Sequence, residues 1–172
     1  TVLAFRILSS IKKNLFMRLS IFIPAYNVEQ YLERCVESCE KQNIPHEDYE
    51  VIVVNDGSPD STLQVANELA QRFDNMVVLT QENSGPSRAR NLGINEAKGK
   101  YIWFIDADDY IVENCISRVL ALCEENELDI CHFALTRFCA DGSTEPRETY
   151  HNAETLLRGR DIILRDAAQV LC

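Results

Sequence analysis

The sequence predicts an α/β fold, three layers deep, in which helices cover both faces of a mainly parallel sheet. From Met17 onward, short apolar runs alternate with segments whose apolar residues recur at helical spacing, the pattern of strands joined by crossover helices. A chain of 172 residues that is 46% hydrophobic buries one ordinary core and is too short for two comfortable domains. The expected layout is an extension over residues 1–16, a core over 17–135, and a less regular region over 136–172.

The extension places Leu3, Ile7, Ile11 and Leu15 four apart, with Arg6, Lys12 and Lys13 between them. That spacing predicts an amphipathic helix, long enough at most to lie on a membrane surface in peripheral contact. The alternative is that Met17 is the natural start and the stretch before it is no part of the fold. Residues 19–23 form the first strand, ended by Pro24, and Val28, Tyr31, Leu32, Cys35, Val36 and Cys39 give the following helix one apolar face. Residues 51–54 form the second strand. After the turn Asn55-Asp56-Gly57, Ser58-Pro59 is expected to open a helix, with a capping hydroxyl and a proline at the first helical position. Leu63, Ala66, Ala70 and Phe73 form its inward side. A strand over 76–79, a helix over 86–97 stopped by Gly99, and a strand over 101–105 follow. A further helix turns Ile116, Val119, Leu120 and Cys123 inward, ahead of a strand over 130–135. Asp141-Gly142 reads as a hairpin turn and 153–164 as weakly helical.

Composition narrows the function classes. A net charge of -10 argues against nucleic acid as a partner, because non-specific affinity for phosphate backbones comes from cationic side chains that displace counterions. An anionic ligand must therefore bring or borrow a cation. The seven cysteines show neither CxxC pairs nor zinc-like spacing and fall mostly in apolar segments, so buried thiols in a reducing cytoplasm are expected. His46, His132 and His151 have no evident partner in the sequence.

Ligands of open parallel sheets bind beyond the carboxyl ends of the strands, so the informative residues follow each apolar run. No GxGxxG lies at the first turn and no GxxxxGK(S/T) occurs anywhere, which removes the dinucleotide and P-loop readings. The strand ends carry carboxylates instead, Asp56 on one and Asp106, Asp108 and Asp109 on another. Two bare charges about 4 Å apart at a protein surface repel by roughly 4 kcal/mol, so a diphosphate needs a divalent cation beside such acids. Magnesium or manganese fits: both prefer oxygen, and magnesium is commonly held by one or two carboxylates plus substrate phosphate. Arg88 adds a planar donor for phosphate or base, unless it pairs with Glu82. Tyr26 fits either a nucleotide contact or packing where the first helix begins.

The stretches LSIFIPAYNVEQYL, VIVVNDGSPDST, NSGPSRARNLGI and YIWFIDADDY resemble the family-2 glycosyltransferases, in the family's order and separations from residue 17 to about 135. The resemblance implies a GT-A fold, the Rossmann-like fold of nucleotide-diphospho-sugar transferases. It also implies inverting transfer of a sugar from a nucleoside-diphosphate donor, UDP above all, to a saccharide or lipid-linked acceptor in bacterial surface-polysaccharide synthesis. On the same grounds Pro24, Ala25, Tyr26 and Glu29 line the nucleoside pocket, and Asp56 with Gly57 meets the base. Arg88 touches the donor, Asp106 and Ala107 sit at the ribose and metal shell, and Asp108 with Asp106 holds Mn or Mg.

The general base of the family has no counterpart in context here, since Glu154, Asp161 and Asp166 lack the surrounding Glu-Asp signature. It is expected beyond Cys172. Two other readings stand beside this one: a nucleotide-sugar-binding fragment without transfer activity, and, more distantly, a Mg-dependent aspartyl phosphatase, whose DxD would end the first strand rather than the fourth.

Overall fold

The computed structural model of the chain describes residues 3–6, 17–132, 135–138 and 143–147. In order these form β1 (Leu3–Arg6), β2 (Leu19–Ala25), α1 (Leu32–Glu40), β3 (Tyr49–Asn55), α2 (Thr62–Arg72), β4 (Met76–Thr80), α3 (Pro86–Glu96), β5 (Tyr101–Phe104), α4 (Ile116–Glu125), β6 (Ile130–His132), β7 (Leu135–Phe138) and β8 (Thr144–Arg147). The chain divides into two compact units, Thr1–His132 and Phe133–Cys172.

The first unit carries a six-stranded sheet of order β4-β3-β2-β5-β1-β6. Its β2, β3, β4 and β5 run parallel, while β1 is antiparallel to both neighbours. Side chains alternate across such a sheet, so Phe22, Ile52, Val54 and Ile102 share a face. They pack with Ala89 and Ala97, all at most 3% exposed, under α3. Gly93 lets that helix come close: a Cβ there would overlap the Phe22 ring. Ile21, Ile23, Val51 and Val53 point the other way, fully buried. On that side α1 and α2 pack together, and Tyr101 donates its hydroxyl to the Cys123 carbonyl of α4. Strands covered on both faces read as unbroken apolar runs, which is why these were visible in the sequence.

Several expectations change. Leu3–Arg6 is a strand rather than helix, because the free edges of β5 and β6 offer backbone partners on both sides; the rest of 1–16 lies outside the described residues. α2 starts at Thr62 and not at Ser58-Pro59, since the Ser58 hydroxyl instead accepts from Asn27 N–H at 3.1 Å. Ser61 stands at the cap position without a side-chain cap bond, and Asp60 just before it accepts from Thr62 N–H at 3.0 Å. Its buried face is Thr62, Ala66 and Leu69.

The strand expected over 130–135 resolves into β6, in the large sheet, and β7, which pairs antiparallel with β8 in the second unit. The Asp141-Gly142 turn and the helix expected over 153–164 lie outside the described residues. No helix among those described is long and apolar enough to cross a membrane. The five described cysteines are free thiols, with Cys35, Cys39, Cys123 and Cys131 buried. His46 does have partners: Glu40 at 3.4 Å and Asp74 at 3.3 Å.

Candidate functional site

In the sheet register Ala25 lies beside Asn55 and Asn55 beside Thr80, so β2, β3 and β4 end in one row. The order reverses between β2 and β5, with β3 on one side of β2 and β5 on the other. Such a switch point is where open α/β sheets take ligands. Asp56 follows β3 and Asp106 follows β5, so the two acids flank β2 at about two strand spacings, roughly 10 Å apart across the sheet.

Asp56 is 4% exposed. Its Oδ1 accepts from the Gln81 amide at 2.7 Å and Ser84 N–H at 2.9 Å, and its Oδ2 from Gly85 N–H at 2.8 Å. Burial pushes the carboxyl up, but these three donors outweigh it and hold Asp56 below the usual Asp range. The side chain thereby latches the β4–α3 loop onto the turn after β3. Gly57 makes the latch possible: its φ is +68°, and a Cβ would stand 2.6 Å from the Asn83 nitrogen.

Around β2, Pro24 is half-buried and Ala25 buried, its carbonyl accepting from Asp56 N–H at 2.9 Å. Tyr26 is 48% exposed and lies six residues ahead of the first residue of α1. Glu29 exchanges bonds with the β3–α2 loop, accepting from Ser61 N–H at 2.8 Å while its own N–H donates to Asp60 at 3.2 Å. A recess of about 210 Å³ opens among Asn27, Glu29, Gln30, Tyr31 and Asp60. The larger recess, about 330 Å³, lies at the amino-terminal ends of β3 and β4 among His46, Tyr49, Asn75 and Lys98, away from every strand-end acid, and is not part of this site.

Beyond β5, Asp106 is largely exposed and accepts from Arg90 Nη2 at 3.2 Å, while its carbonyl faces the Cys35 thiol at 3.7 Å. Ala107 is buried, turning Asp106 and Asp108 outward on either side of it. The Asp108 side chain makes no hydrogen bond or ion pair among the described residues. Asp109 is held above the usual Asp range by burial and then by the negative charge of Asp108 and Asp106. The exposed, hard oxygen donors of this acidic segment, only partly neutralised by Arg90, are of the kind a divalent cation takes up together with water and diphosphate oxygens. No cage of three or more His, Cys, Asp or Glu side chains converges among the described residues, and a cation shared with a diphosphate does not require one.

The arginine that reaches the acids is Arg90, not Arg88. Arg88 is exposed on the first turn of α3, with no side-chain hydrogen bond or ion pair, to Glu82 or otherwise, among the described residues. Ser84 and Gly85 lie in the stretch 83–88 that follows β4, one of the strand ends the sequence points to, but neither Gln81 nor Arg90 was singled out, although Arg90 lies two residues from the arginine that was. The downstream end of the acidic loop is held by α1 and the residues after it. Ser38 Oγ accepts from Ile111 N–H at 3.0 Å, and Gln42 Oε1 accepts from Cys115 and Ile116 N–H at 3.0 and 3.1 Å, capping α4 from a distance.

The family model described as Glycosyl transferase family 2 matches residues 20–169. Over 116 residues the chain is 42% identical to the poly(ribitol-phosphate) beta-glucosyltransferase of Bacillus spizizenii, covering 66% of this chain and 18% of that protein. It is 43% identical over 111 residues to EpsJ, an uncharacterized glycosyltransferase of Bacillus subtilis, covering 64% and 32% respectively. The crystal structure of S. aureus TarS 1-349 in complex with UDP-GlcNAc aligns with a TM-score of 0.61 at 34% identity, over 64% of this chain and 32% of that one. The chain thus spans 18% and 32% of the length of these two sequence relatives. Its mainly parallel sheet with flanking helices is the GT-A fold of those structures. By its sequence and by its fold, the chain belongs to glycosyltransferase family 2.

Proposed function

We propose that the chain forms the donor-binding part of an inverting transferase that takes a sugar from UDP and hands it to a saccharide or lipid-linked acceptor in surface-polysaccharide synthesis. The observation that carries the reading is the placement of Asp56 and Asp106 on either side of β2 at the switch point. The TarS structure bears UDP-GlcNAc and the B. spizizenii relative is a poly(ribitol-phosphate) glucosyltransferase, which supports this donor class and an acceptor of cell-surface type. Membership of the family leaves the phosphatase reading without support.

Each residue has a task in this reading. Asp56, ionised and fixed, accepts the imide N–H of uracil, a donor that unprotonated cytosine lacks. Tyr26 offers an exposed ring to the nucleoside, in the pocket lined also by Pro24, Ala25 and Glu29. Gly57 leaves room for the base to approach the turn, Ala107 sets the spacing of the two acids, and Arg88 stands free on α3 to meet the phosphates. Asp106 and Asp108 hold Mn or Mg together with the diphosphate oxygens, and the cation neutralises the charge that builds on the departing nucleoside diphosphate. Free thiols among the described residues suit work in the reducing cytoplasm. No general base is assigned. Titration calorimetry of UDP, CDP, ADP and GDP with and without Mn²⁺ tests the reading: tightest binding of UDP, strengthened by the cation, is expected. Equal affinities for the four nucleotides would refute it.

A further inference from the structure

We infer that Gln81 is a positioning residue for nucleobase choice, acting through Asp56 by deciding which carboxylate oxygen meets the base. The inference rests on the proposed base-reading role of Asp56 and adds a residue to it. Gln81 follows β4 directly, and its backbone N–H continues the ladder by donating to the Asn55 carbonyl at 3.0 Å. That anchor fixes where its side chain starts. The amide then donates to Asp56 Oδ1 at 2.7 Å, the same oxygen that accepts from Ser84 N–H at 2.9 Å.

A carboxylate oxygen has two good acceptor directions, so Oδ1 is full. Oδ2 accepts one bond, from Gly85 N–H at 2.8 Å, and keeps one direction open. Without Gln81 each oxygen would carry a single bond, and the open directions would be two. The base would then meet either edge of the carboxylate, and the discrimination that depends on one aligned N–H···O contact would blur. Gln81 is half-buried and reaches Asp56 from a neighbouring strand end, so the Ser84 and Gly85 bonds that latch the loop remain when it is replaced.

The test compares the 172-residue chain with Gln81→Met, which keeps side-chain length and removes the donor, and Gln81→Asn, whose amide is one methylene short. Affinities for uridine and cytidine diphosphate are measured by calorimetry, alongside thermal melts. The wild-type preference for the uridine nucleotide should fall by roughly tenfold in Gln81→Met, the scale of one hydrogen bond to a charged group. Gln81→Asn should fall between. If Gln81→Met does not fold, the Asn variant carries the comparison. An unchanged preference ratio in the folded variants, or an equal loss of affinity for both nucleotides, overturns the role of Gln81 while leaving that of Asp56 intact. A wild-type chain with no uridine preference overturns both.

Discussion

Asp56→Asn is the sharpest probe of the latch. Asn presents one oxygen and one NH₂ where Asp56 presents two oxygens, and the three donors cannot all be met. With the oxygen kept at the Oδ1 position, the Gln81 and Ser84 bonds survive without charge assistance and the new NH₂ faces Gly85 N–H, donor against donor, at the present 2.8 Å. The reverse orientation sets it against two donors and is worse. One charge-assisted bond lost and one donor left unmet at a site 4% exposed should cost about 2 kcal/mol. For a chain of this size that lowers the melting temperature by about 4–8 °C.

The sign with pH follows from the lowered Asp56 pKa. A group that titrates lower in the fold contributes stability fully above its unfolded value, about 3.9, and loses it as pH falls through the folded value. The deficit of Asp56→Asn should therefore be level from about pH 5 to pH 8, read by circular dichroism at fixed ionic strength. A melting temperature within about one degree of wild type across that range would show that the three bonds do not hold the loop.

Other substitutions test separate parts of the fold and site. Asp108→Ala should abolish the Mn²⁺ enhancement of UDP binding with little change in thermal stability, since the side chain is exposed and bonded to nothing in the described chain; calorimetry showing enhancement within a factor of two of wild type would remove it as a ligand. Gly93→Ala gains about 1 kcal/mol of helix propensity but drives a methyl into the Phe22 ring, an overpacking of about 1–3 kcal/mol or more, so urea melts should show net destabilisation. Burial raises the Glu40 carboxyl, and the Tyr49 hydroxyl and His46 only partly offset this. A raised folded pKa means stability present below the unfolded value and lost as pH rises, so Glu40→Gln, which can still accept from Tyr49, should be the more stable protein at about pH 8 and lose that advantage near pH 4. A lower melting temperature for Glu40→Gln at the higher pH would contradict the burial argument.

The parallel strands and the acids at their ends were legible in the sequence because burial on both faces writes strands as apolar runs, and turns such as Asn55-Asp56-Gly57 stand out against them. What was hidden has a common cause: the partners are far apart along the chain. Gln81 meets Asp56, Gln42 meets Ile116, and Glu50 meets Ser20 and the Lys98 N–H, contacts that no local periodicity encodes. Arg90 was hidden because it sits two residues from Arg88 near the start of one helix, and only the helix's rotation decides which of the two reaches Asp106. Leu3–Arg6 misled for a different reason. Four residues satisfy either period, and the choice fell to an open sheet edge that only the assembled fold reveals.

The clamp that Ser38 and Gln42 place on the acidic loop has a thermodynamic consequence. Ordering a loop costs about 1–2 kcal/mol per residue, and here that cost is met when the core folds, because Ser38 on α1 and Gln42 two residues beyond it hold Ile111, Cys115 and Ile116. The Asp106–Asp109 segment is then a preset mount, so nucleotide binding need not spend its enthalpy on arranging the acids. Gln42→Ala would return that cost to the ligand, and its signature would be a more unfavourable entropy of association with the contacts to UDP unchanged. A residue that touches no ligand would in this way govern affinity through the heat it lets binding keep.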